Sequence, residues 1–212
     1  MDVLELKKEQ FKLAGKISLN DTFSKVKTIG GISCLQFGNQ LMASVTVCEF
    51  PSLKLIENKT YLLDNPLPYK PGFLAYREMP AMIEAYNKLD EEPDILLVKG
   101  PGILHPRKIG IASHLGLALN VPTIGVQNKL MLGNIEKGKI ILNNEVVGFE
   151  IKTKEHAKPI YVSPGHQVSL GTVLNLIPKI IIFPHKLPEP LHLAHKASRK
   201  ITRKEEIKED VY

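Results

Sequence analysis

The stretch "LLVKGPGILHPRKIGIASHLG", residues 96–116, decides the fold. Its apolar run ends in Lys99, glycines follow at 100 and 102, and His105-Pro106-Arg107 then opens an amphipathic pattern. A strand delivers a polar residue to the edge of a sheet in this way, beside a helix N-terminus. Enzymes usually place a carboxylate at such a position, and this chain places a lysine. Whether chemistry survives that choice is the question the sequence poses.

Working outward, "PDILLV" (93–98) is a short continuous apolar run, the mark of a strand covered on both faces. A helix over about 107–120 and a second buried strand, "PTIGV" (122–126), complete a βαβ unit with a parallel pair and a right-handed crossover. Upstream, Leu4, Leu6, Phe11 and Leu13 among charges predict an amphipathic helix over 3–15. Strands are predicted at 28–37, 41–50 and 52–63, the last interrupted near Glu57-Asn58, with Gly38-Asn39 as a turn. Three strands so spaced form an antiparallel meander. A proline-rich loop, "NPLPYKPGFLAYRE" (65–78), leads into a helix over about 76–89.

Downstream, Asn143-Asn144 between β-rich runs predicts a hairpin over 138–153. Residues 158–170 give one more strand and a loop, and Ser169 caps a helix running towards Pro178. The last segment, 187–210, reads as a helix whose charged end frays. The sum is one α/β domain: a mixed sheet, antiparallel meander plus parallel strands, flanked by helices.

At 212 residues the chain is long enough for one well-filled core and short for two. A net charge of +6 and a pI near 9.2 favour a polyanionic partner, most simply nucleic acid, although a surplus of surface lysine gives the same numbers. Cys34 and Cys48, in unrelated contexts, form neither a disulfide framework nor a zinc site, and are expected to be buried in a reducing compartment. The first sixteen residues are too charged for a signal peptide, and no apolar run has membrane-spanning length. A cytoplasmic, monomeric protein is expected.

Several motifs carry possible chemistry. Gly100-x-Gly102 lets backbone approach a ligand, and the helix start behind it offers N–H groups to a phosphate, with His105 and Arg107 adding donors. "PYKPG" (68–72) sets Tyr69 in a stiff loop, either stacking on a base or packing on the surface. "SPGH" (163–166) puts His166 at a strand end, where a structural role is the commoner one. Metal-assisted phosphodiester cleavage needs two or more converging carboxylates. Glu78 is well placed, but Ser33 and Lys99, at the corresponding strand positions, are not acids.

Together "IGGIS", "PYKPGFLAYRE", "GPGILHPRKIGIASHLG", "PTIGV", "YVSPGHQVSL" and "LPEPLHLAHKAS" resemble the endonuclease V family over nearly the whole chain, in the family's order and spacing. The resemblance implies a variant of the ribonuclease H-like sheet. It also implies cutting of nucleic acid near deaminated purines, chiefly inosine, with magnesium or manganese. The family relies on two aspartates, a glutamate and a histidine, helped by a lysine. By this resemblance the glutamate falls on Glu78, the histidine on His105 and the wedge tyrosine on Tyr69, in a loop completed by Pro71 and Gly72. Gly102 and Gly125 border the inosine pocket, and Arg107 and His166 match phosphate-contacting positions. The two aspartates are Ser33 and Lys99 here, the lysine is Asn128 with Lys129 beside it, and Pro101 stands within the glycine turn.

Losing two carboxylates and gaining an ammonium changes such a site by about three charges, and each is worth about 4 kcal/mol at 4 Å and an effective dielectric of about 20. The sequence therefore predicts that no metal binds tightly, magnesium or manganese entering only if the family activity is retained. Lys99 is expected to pair with Glu78 in the metal's space. Three readings follow: a nucleic-acid-binding homologue with weak or lost cleavage, an active deoxyinosine-directed endonuclease rescued by a rearranged site using residues such as Glu49, or a non-catalytic interaction protein.

Overall fold

A computed structural model of the chain describes residues 2–209. The meander forms as the alternation requires: β1 (Thr28–Phe37), β2 (Gln40–Glu49) and β3 (Leu55–Asp64) pair antiparallel in sequence order. β3 is continuous rather than interrupted, and the irregularity is a register shift between Val47 and Cys48 on β2, opposite the Glu57 end of β3. β4 (Ile95–Lys99) joins β1 in parallel, and β5 (Thr123–Gln127) joins β4 in parallel. Ile95, Leu96, Leu97 and Val98 have no exposed surface, which is why that run has no alternation to read.

The far side of the sheet is antiparallel. β9 (Ile160–His166) pairs with β5, then β8 (Glu145–Ile151), β7 (Lys139–Leu142) and β6 (Asn134–Glu136) follow outward. Asn143 and Asn144 both take positive φ, 52° and 63°, as a two-residue hairpin demands. β6 is an added strand. The nine strands run β3-β2-β1-β4-β5-β9-β8-β7-β6 in one sheet.

α1 (Val3–Ala14) is capped by Asp2, whose carboxylate accepts from the Leu4 N–H at 2.9 Å. α2 (Leu74–Tyr86) begins two residues earlier than the pattern suggests. α3 (Ile111–Leu119) begins four residues later, because Lys108 takes a φ of 52° and Gly110 is extended; residues 103–110 are loop. Asn120 closes α3 in the left-handed region. Ser169 caps α4 (Leu170–Leu176), which passes into a 3-10 turn.

α2 and α3 pack on one face of the sheet, through Met82, Ala85, Ile111 and Leu115 against Ile32, Leu96 and Val98. α4, the 3-10 turn and α5 (Glu189–Glu209) cover the other, through Val173, Ile177 and Leu191 against Ile29, Leu97 and Val162. α5 lies so close to β1 that a Cβ on Gly31 would stand 2.3 Å from the Pro190 carbonyl carbon. The fraying expected of the charged end of α5 concerns residues 203–212, whose side chains lie outside the described residues. Both cysteines are free thiols; Cys48 is buried as expected, whereas Cys34 is only partly buried.

Candidate nucleic-acid interface and strand-end site

The 65–73 loop and the 100–110 loop meet over the N-termini of α2 and α3 and enclose a cavity of about 250 Å3. Its walls are mainly apolar, with Gln10, His105 and Arg107 as polar groups. Tyr69 stands at the rim with 60% of its surface exposed. Pro71 and Gly72 line the same cavity. Gly72 has a φ of +79°, which disfavours any side chain, and a Cβ there would push aside the Arg107 guanidinium, 2.9 Å away.

His105 and Arg107 turn inward to hold that loop. Arg107 donates from Nη2 to the Gly72 carbonyl at 2.7 Å and from Nε to Gln10, and its guanidinium lies 4.7 Å from the Phe73 ring centre. His105 Nδ1 accepts from the Arg107 N–H at 3.3 Å, which leaves Nε2 to donate to the Gly72 carbonyl at 3.2 Å. Burial, then the neighbouring Arg107, holds the His105 pKa down to about 4, so the ring is neutral at pH 7. Gln10, buried on α1, is part of this clamp and carries no sequence signal beyond being polar on an apolar face.

The Gly-x-Gly turn does not present open N–H groups. Gly100 donates to Val126, Gly102 to the Ser163 hydroxyl, and Ile103 to Pro164. At the start of α3, the Ala112 N–H is taken by the Pro101 carbonyl at 2.9 Å. Gly102 and Gly125 are there for packing: a Cβ on Gly125 would meet the Gly102 nitrogen at 2.2 Å, and one on Gly102 the Pro164 oxygen at 2.0 Å. The N–H groups of the turn, and that of Ala112, are therefore taken by the chain's own acceptors.

α2 links the cavity to the sheet edge. Leu74 and Ala75 line the cavity, and Glu78 follows one turn later on the same stripe. Glu78 sits near Lys99, Arg77 and Cys34. Burial raises its pKa to about 7, against the pull of Arg77 and Lys99. Ser33 and Lys99 continue the parallel register in which Ile32 faces Val98, so they are neighbours on one face of the sheet. Burial lowers the Lys99 pKa, an effect that Glu78 opposes and Arg199 reinforces. Lys99 and Glu78 attract one another but make no ion pair within 4.0 Å among the described residues, so the direct contact expected from the sequence does not form.

His195 on α5 also belongs to this cluster, and sequence reading missed it. Burial first, then Lys99 and Arg199, holds its pKa down to about 4. Ser33 Oγ, Ser198 Oγ and His195 Nδ1 are all buried without a hydrogen-bond partner. Asn128 and Lys129 are exposed just past β5, close in sequence to Val126, which is in register with Lys99. Two expected residues lie elsewhere. His166 is in register with Thr123, at the opposite end of β5, and its buried Nδ1 accepts from the Ser18 N–H at 3.3 Å. Glu49 is in register with Thr28, five residues down β1 from Ser33, or about 17 Å at the rise of a strand. It cannot complete a site at Glu78.

Among the described residues no three His, Cys, Asp or Glu side chains gather so as to hold a metal ion. No described helix is long and apolar enough to cross a membrane.

The comparisons with known proteins agree with this architecture. The family model for endonuclease V matches residues 11–196. Endonuclease V of Dictyoglomus turgidum is 38% identical over 209 residues, covering 95% of this chain and 91% of that protein. That of Rippkaea orientalis is 39% identical over 207 residues, covering 92% and 90%. Among solved structures, Bacillus subtilis endonuclease V superposes with a TM-score of 0.88 at 28% identity, covering 98% of this chain and 95% of that one. Ciona intestinalis endonuclease V, in complex with a 24mer DNA containing an inosine followed by a ribo-adenosine, superposes with a TM-score of 0.85 at 29% identity, covering 95% and 98%. The nine-stranded sheet is thus of the ribonuclease H-like class, and the chain belongs to the endonuclease V family.

Proposed function

We propose that this protein binds nucleic acid at a deaminated purine, inosine above all, and cleaves it weakly or not at all. One juxtaposition carries the reading: the exposed Tyr69 and its clamped loop border a preformed apolar cavity, while Lys99 at the end of β4 and Ser33 beside it on β1 adjoin. Magnesium demands near-octahedral oxygen coordination, usually one or two carboxylates completed by waters and substrate phosphates, and an adjacent cation opposes it. Glu78 alone supplies a carboxylate here, beside an ammonium, and that donor set does not fit either ion. No step of a metal-assisted hydrolysis is therefore assigned to these residues.

The cavity suits a flipped base, which needs an apolar slot with a few polar groups at its edge. Tyr69 is poised to stack where the base leaves the duplex. Fluorescence anisotropy with inosine-containing and matched control DNA and RNA, in EDTA, tests the reading. The parent should prefer inosine, with affinity falling as salt rises. Tyr69→Ala should cost about 1–3 kcal/mol of binding. Equal affinity for both substrates, unmoved by the substitution, would overturn it.

A further inference from the structure

The cluster where β4 ends beside the middle of β1 has the wrong charge for a cation and the right one for an anion. Arg77 and Lys99 stand near a single carboxylate, Glu78, and Arg199 stands near Lys99. Arg77 is engaged by the Leu67 carbonyl and Gln36. Lys99 and Arg199 make no ion pair among the described residues.

A second observation is independent of charge. Ser33 and Ser198 have no exposed surface, yet their hydroxyls have no partner, and neither has His195 Nδ1. Unsatisfied buried hydroxyls are costly unless something supplies the missing hydrogen bond. Ser33 is beside Lys99 on the sheet, and Ser198 lies on the buried stripe of α5 formed with Leu191 and Ala194. His195 reports the local field: Lys99 and Arg199 add to burial in keeping its ring neutral.

We propose that Lys99 and Arg199, with Ser33 beside them, bind a phosphate of the nucleic-acid backbone directly, so that the protein's own cations take over the anchoring that metal ions perform in a two-metal nuclease. The anion is a phosphodiester, held without a divalent ion and without covalent change. This rests on the reading of the cavity as a nucleotide site, one helical turn of α2 away.

The test is an anisotropy titration of inosine-containing DNA with parent, Lys99→Gln, Lys99→Arg, Arg199→Gln and Tyr69→Ala, each in EDTA and in magnesium. Parent affinity should agree within twofold between EDTA and magnesium. Lys99→Gln should weaken binding at least tenfold and reduce the slope of log affinity against log salt by about one, and Lys99→Arg should restore most of it. Should Lys99→Gln not fold, Arg199→Gln, which keeps one of the two cations, is compared with Lys99→Arg, which keeps both, and only the former should weaken binding. Parent binding that needs magnesium, or Lys99 and Arg199 variants that match the parent while Tyr69→Ala is weakened, overturns the anion site and leaves the cavity reading standing. If the parent binds no DNA, the cavity reading fails, and titration calorimetry with inorganic phosphate decides the anion site by itself. A saturable signal lost in Lys99→Gln supports it, and no signal overturns it.

Discussion

His105 shows how one buried side chain sets the behaviour of a loop. Its ring bonds the 65–73 loop only as the neutral imidazole with the proton on Nε2, because Nδ1 must accept from Arg107. The unfolded chain takes up a proton near pH 6.5, while the folded chain resists until about 4. Protonation therefore favours unfolding, and the contribution present above pH 6.5 is lost as the pH falls towards 4. The loss is at most about 1.4 kcal/mol per pH unit, about 3 kcal/mol in all. Chemical denaturation between pH 7 and 4 should show this slope, and His105→Gln should make it shallower; an unchanged slope would show that other groups dominate. Ser33 and Lys99 pose a different test. Lys99→Asp should raise magnesium-dependent nicking of an inosine substrate more than Ser33→Asp, since it removes a cation as well as adding a ligand. The double change should exceed the sum of the two, because ligands of one ion act together. A parent as active as the double variant would show that the chain cleaves by another route.

At the scale of elements, the approach of α5 to β1 decides where His195, Ser198 and Arg199 stand. That approach depends on Gly31, where any side chain would enter the backbone of Pro190 and Leu191. Gly31→Ala should destabilise the fold by about 1–3 kcal/mol and move α5 away from Lys99. Thermal melts read the first effect. The second would appear as loss of the perturbed His195 titration by NMR. The elements themselves were largely legible. Continuous burial marks β4, the paired asparagines mark the β7–β8 hairpin, and α3 ends at Asn120, where the helical pattern stops. The start of α3 was misjudged because the amphipathic pattern continues through a loop in which Lys108 is left-handed. The site was legible only where its residues are local in sequence: Tyr69, Gly72, His105 and Arg107 lie in two motifs that meet. His195 was hidden because its significance comes from α5 crossing β1, a pairing between distant parts of the chain. The place of His166 was not legible, because a strand end says nothing about which end of the sheet it will occupy.

For the whole molecule, one sheet carries both parts of the site, with the cavity on the α2–α3 face and the cationic cluster where β4 ends beside the middle of β1. The same sheet order, β3 at one side and β6 at the other, has a consequence for association. An open sheet ends in unpaired N–H and C=O groups that can recruit another chain as an additional strand. β6 offers three residues, too few for a durable pairing. β3 is ten residues long and exposes Leu55 and Ile56. Next to them Glu57 and Lys59 are tied 3.4 Å apart, and Lys59 reaches Asp90 at 2.6 Å. A strand arriving there would have to strip water from three charges. Light scattering should find the parent monodisperse and a Glu57→Val, Lys59→Val variant self-associating, its edge changed from a guarded border into a template for polymerisation.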